Sequence, residues 1–132
     1  MTDNSNIPLP PQRPAHDPAR VWEMWCHLSA LAGYVIPFGN ILGPLIIWQM
    51  KKHEFPSLEA HGRAAINFQL TVTIAVIVGL LAVVPLSFIC IGYLLIPVVV
   101  GITVAGLVFA IIAGIKANDG QEYAYPCTLH LV

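Results

Sequence analysis

The longest uninterrupted feature of the chain is apolar: residues 64–115, between Arg63 and Lys116, contain no Asp, Glu, Lys or Arg. A membrane-spanning helix takes roughly 20 apolar residues, so this stretch of 52 accommodates two spans and a turn. Pro85 and Pro97 bound the turn. Residues 64–84 would make about 31 Å of helix and residues 97–115 about 28 Å, each close to the roughly 30 Å of a hydrocarbon layer. Residues 86–96 then form an apolar link, or extend the second helix backwards through a proline kink.

A second apolar region, residues 21–50, is interrupted in its middle. Pro37-Phe-Gly-Asn40 is a turn signal and Gly43-Pro44 follows at once, so one continuous tilted span would have to absorb two prolines and two glycines within eight positions. The pattern predicts a broken helical hairpin with arms 21–36 and 41–50, of about 24 Å and 15 Å. The second arm is too short to cross a bilayer. Interrupted segments persist at membrane depth only where protein or a wet cavity covers the freed backbone groups. Residues 51–63 read as a polar loop that carries His53 and His61. Asn118-Asp-Gly120 ends the last helix, and Tyr123 and Tyr125 suit an interfacial aromatic belt.

The predicted fold class is therefore an all-α integral membrane protein of four helices: the broken N-terminal hairpin and two long transmembrane helices. Three regions are expected: a disordered Pro-rich tail over residues 1–19, a transmembrane helical domain over 20–117 and an interfacial C-terminal segment over 118–132. Composition agrees, with 57% hydrophobic and only 10% charged residues among 132. Net charge is −1 and there is no basic stripe, which leaves no basis for nucleic-acid binding. Three widely spaced cysteines, Cys26, Cys90 and Cys127, do not make a disulfide framework. With a hairpin that enters and returns, all six basic residues (Arg13, Arg20, Lys51, Lys52, Arg63 and Lys116) fall on one side. That predicts cytoplasmic termini in a multi-pass cell-membrane protein, whereas a single N-terminal span would place Arg13 and Arg20 outside.

Chemistry-bearing positions are few. Asn67 and Thr71 share one strip of the first long helix and Gln69 with Thr73 another roughly 200° away, so both faces require protein neighbours. The inserted hairpin could supply them. His27 and Asn40 complete the candidate polar positions inside the membrane. Uncharged amides in spans commonly join helices by hydrogen bonds, and a substrate or ion path is the competing role. Gly106, Ala110 and Gly114 repeat every four residues, as do Ala75 and Gly79, the spacing at which small residues let two helices approach closely, within the chain or between copies. His27 adjoins Cys26 but points about 100° away from it, and His53 and His61 lack a partner at metal-ligand spacing. No cofactor fingerprint, phosphate loop or carboxylate pair occurs, so neither a cofactor nor a catalytic residue is expected.

The blocks His27-Leu-Ser, Gly33-Tyr34, Ile36-Pro-Phe-Gly-Asn-Ile-Leu-Gly-Pro-Leu-Ile-Ile-Trp48, Lys51-Lys52, His61-Gly62, Asn67-Phe-Gln69, Lys116-Ala-Asn-Asp-Gly120, Glu122-Tyr123 and Tyr125-Pro126 occur together. Over residues 20–132 this string resembles a family of small prokaryotic membrane proteins of unknown function, described as similar to the Tic-twenty component of the chloroplast inner-envelope protein translocon. The resemblance implies a multi-pass helical protein, with four helices in the translocon relative, and assigns no activity. It also departs from that pattern, because His53, Ala60 and Ala64 stand where the family often has acids. The expected role is a non-enzymatic membrane subunit or scaffold whose partners are the lipid bilayer and other membrane proteins or copies of itself. The alternative is a transport or protein-translocation channel subunit that acts as an oligomer, since one chain has too few spans to enclose a path.

Overall fold

The computed structural model describes residue 14 and residues 16–132, so the expected N-terminal tail lies outside the described residues as far as residue 13 and at residue 15. The described residues form four α-helices: α1 (Pro18–Leu28), α2 (Gly39–Lys51), α3 (Leu58–Ser87) and α4 (Gly92–Asn118). No strand occurs among them. The Asp17 carboxylate accepts from the Ala19 N–H at 3.0 Å and Pro18 occupies the first turn, so α1 takes in the last two residues of the expected tail.

A 3-10 segment, Ser29–Tyr34, continues α1 to a turn in which Phe38 takes a left-handed φ of 60°. α2 then returns alongside, antiparallel. The arms touch backbone to backbone: a Cβ on Gly43 would lie 2.4 Å from the Ser29 carbonyl oxygen, so only glycine fits there. Pro44 sits inside α2, where its ring removes one helical hydrogen bond without ending the helix.

α3 and α4 are the two helices long and apolar enough to cross a membrane. α3 runs past Pro85, further than the sequence indicates, and α4 extends backwards past Pro97, as one reading of residues 86–96 allowed. Pro85 lies in the last turn of α3 and Pro97 in the second turn of α4, so the connection shrinks from residues 86–96 to 88–91. Each proline removes a hydrogen bond close to a helix end, where few are at stake. The polar loop also shrinks, because α3 begins at Leu58 and takes His61 and Arg63 into its first two turns.

The hairpin reaches only to the middle of the long helices. Near its tip Asn40 donates to Thr73 of α3 at 2.9 Å, and the Tyr34 hydroxyl donates to the Thr103 carbonyl of α4 at 3.3 Å. Beyond these points α3 and α4 pack on each other, with Gly79 against Val99, and otherwise expose Leu81, Val84, Phe88 and Leu94. The other half is a four-helix bundle around Cys26, Trp48, Ala65 and Ile66. Gly62 lets the Trp48 ring lie against the α3 backbone, and the Trp48 indole N–H donates to Glu59 at 2.9 Å. At this end Lys51 lies over Trp22, Lys52 over Trp48 and Lys116 over Tyr123.

A buried acid, histidine and tyrosine chain as the candidate site

Four polar side chains meet inside the charged half. Glu23 and His27 lie one turn apart on α1, His61 projects from the start of α3 and Tyr125 folds back from beyond α4. The Tyr125 hydroxyl is 2.7 Å from His27 Nδ1, His27 Nε2 is 3.1 Å from His61 Nδ1, and His61 Nε2 is 3.5 Å from Glu23 Oε2. Glu23, His27 and His61 are each almost wholly buried.

One assignment of protons satisfies all three contacts. Tyr125 donates to His27, the Nε2–H of neutral His27 donates to His61, and the Nε2–H of neutral His61 points to the Glu23 carboxylate. Burial, reinforced by Cys26 and Tyr123, pushes the Tyr125 hydroxyl well above the usual phenol range and keeps it a donor. The ring of Tyr125 stacks on Phe68 at 4.0 Å between centroids, which fixes its hydroxyl over His27.

The arrangement suits proton sharing better than metal binding. His27 and Glu23 address opposite nitrogens of the His61 ring, so their donor atoms do not converge on one point. Among the described residues no group of three or more His, Cys, Asp or Glu could hold an ion. Cys26 turns away, its thiol 3.8 Å from the Pro44 carbonyl oxygen. The Ser29 hydroxyl donates to the Cys26 carbonyl and stands apart from the histidines as a nucleophile would not.

The other candidate polar residues split between two partners. Asn40 of the hairpin donates to Gln69 at 3.3 Å and to Thr73, covering one strip of α3. The opposite strip is covered by the C-terminal segment: Asn67 Oδ1 accepts from the Leu131 and Val132 N–H groups, Asn67 Nδ2 donates to the Val132 carbonyl, and Thr71 accepts from Leu129. This segment packs along α3, and Tyr125 lies half-buried against His27 and Phe68. Gly106 faces Val72 of α3, while Gly114 receives Leu28 and Met24 of α1. Ala110 is buried between such contacts and Ala75 is half-buried.

His61 is the candidate residue that the sequence places in a loop and without a partner. A signal for the correct placement exists: Pro56-Ser57 followed by Glu59 marks a helix start and puts His61 in the first turn. Nothing in the local sequence indicates that His27, 34 positions earlier, would face it.

The family model described as the magnetosome magnetite crystal formation protein family matches residues 18–132, all of the helical chain and the C-terminal segment. The chain belongs to that family. No curated protein and no solved structure matches it. The matched region contains every residue of the buried polar series and begins where α1 begins. Membership in a magnetosome membrane protein family bears out the small membrane protein that the sequence blocks suggest. It lends no support to the translocon resemblance or to a transport function.

Proposed function

We propose that the chain is a non-enzymatic scaffold subunit of a membrane at which magnetite crystals form. In this reading α3 and α4 each cross the bilayer, the α1–α2 hairpin enters to half depth and returns, and both termini lie on the cytoplasmic side. Other membrane proteins or further copies of the chain are its partners.

One observation carries the reading. One of the two polar strips of α3, Asn67 with Thr71, is occupied by the chain's own C-terminal segment through four hydrogen bonds. A covered strip supports helix joining over conduction. The family's description supplies the setting.

Two measurements test it. Deleting the gene in a magnetite-forming cell should alter crystal size or number while total cell iron is retained, and wild-type protein in liposomes should pass no ions. Liposome flux together with a fall in cell iron would replace the scaffold with a transporter. For topology, Cys90 lies in the α3–α4 turn and Cys127 in the C-terminal segment, both exposed, whereas Cys26 is buried. An impermeant thiol reagent applied to intact cells should modify Cys90 and spare Cys127, and the reverse pattern would invert the proposed orientation.

A further inference from the structure

Between the hairpin tip and the long helices lies a cavity of about 340 Å³, away from the histidine series. It is lined mainly by apolar side chains such as Leu31, Val72, Val76 and Leu107. It opens between Tyr34, Phe38 and Ile77, each exposed on the outer surface. If α3 and α4 span a bilayer, that opening faces hydrocarbon near the middle of the membrane, so anything entering must be lipid-soluble.

The polar groups on its wall are uncharged: Asn40, Gln69, Thr73 and Thr103. Their internal bonds leave a defined remainder. Both hydrogens of the Asn40 amide are used, on Gln69 Oε1 and Thr73 Oγ1, and the Thr103 hydroxyl donates to the Val99 carbonyl. Among the described residues the Gln69 amino group and Asn40 Oδ1 have no hydrogen-bond partner, and Gln69 is only 6% exposed. The Gln69 amino group reaches the cavity, where its hydrogens are available to an acceptor that enters. Phospholipid headgroups stay near the surface, about 15 Å from the middle of a layer about 30 Å thick, and are charged where this wall is not.

We propose that this cavity binds an uncharged, lipid-soluble carbonyl compound, its oxygen accepting from the Gln69 amino group and its apolar chain leaving through the opening into the lipid. The volume is at the lower end of the roughly 300–1,000 Å³ typical of ligand pockets, enough for a headgroup and the start of a chain. Two sources share this chemistry, an isoprenoid quinone and a diacylglycerol. The proposal rests on the membrane-crossing reading of α3 and α4, which the thiol-labelling experiment tests separately.

The test uses the full chain in mild detergent, with melting temperature followed against increasing amounts of three probes: a decyl-substituted benzoquinone, dioctanoylglycerol and, as a control without oxygen, an alkane of similar length. At least one carbonyl probe is expected to raise the melting temperature saturably, and the probe that does so names the source. The alkane should give no saturable shift. Gln69→Met should weaken binding tenfold or more. Val76→Phe, which fills the cavity without removing a polar group, should abolish the shift while the unliganded melting temperature stays near wild type. If Gln69→Met fails to fold, Val76→Phe alone decides. Equal shifts with the alkane, no saturable shift with either carbonyl probe, or undiminished binding in Val76→Phe would overturn the proposal.

Discussion

The charged and apolar halves of this molecule use the same two long helices in different ways. In the charged half α3 and α4 are enclosed by the hairpin and the C-terminal segment, and buried Glu23, His27, His61, Asn67 and Gln69 are joined across elements. In the apolar half the same helices have only each other, and Phe88 at the turn is 88% exposed. Lipid satisfies an apolar side chain as well as another side chain does, so the apolar half gains little by acquiring neighbours. A buried amide or imidazole has no such alternative. The added elements therefore gather where the polar side chains are.

The sharpest way to break this comparison is to add bulk to one glycine of α4 in each half. At Gly114 a new Cβ would lie 2.9 Å from Leu28, whereas at Gly101 it would meet nothing within 4 Å. Gly114→Leu should destabilise by about 1–3 kcal/mol through overpacking against α1. Gly101→Leu should be neutral or slightly stabilising, since leucine is the better helix former. Unfolding of both variants in detergent checks this, and equal losses would mean that the halves are packed alike.

A smaller effect is expected from removing a polar link. Asn67→Leu releases Leu131 and Val132 and should cost on the order of 1 kcal/mol. Limited proteolysis should then cut within residues 119–132 faster than in wild type. Leu81→Ala in the apolar half, at a side chain 69% exposed, should change neither stability nor cleavage appreciably. Unchanged proteolysis of Asn67→Leu would show that other contacts hold the segment.

The smallest effect belongs to Tyr125. Its pKa is raised in the folded state, so its contribution is present below the unfolded value of about 10 and declines as pH rises above it, where the unfolded phenol ionises first. Phenolate absorbance should show Tyr125 titrating after the other tyrosines, and Tyr125→Phe should flatten the alkaline decline in melting temperature. Simultaneous titration of all tyrosines would place the ring outside the core.

Much of the architecture was legible in linear pattern because its causes are local. An uncharged run of 52 residues admits two long helices, and two prolines among glycines break residues 21–50 into a hairpin. The four-residue spacing of Asn67 with Thr71, and of Gln69 with Thr73, required neighbours on two faces of α3 whatever those neighbours were. Their identity was decided by tertiary structure: the hairpin on one face and the C-terminal segment on the other. The end of α3 lies past Pro85 because a proline in a terminal turn removes little, whereas the extension of α4 backwards past Pro97 was one of the two readings open in the sequence. The histidine series was beyond reach of spacing altogether. Glu23 and His27 share a turn of α1, but His61 and Tyr125 come to them only when α3 and the C-terminal segment close on that helix, and periodicity along one helix carries no information about which face of another it will meet.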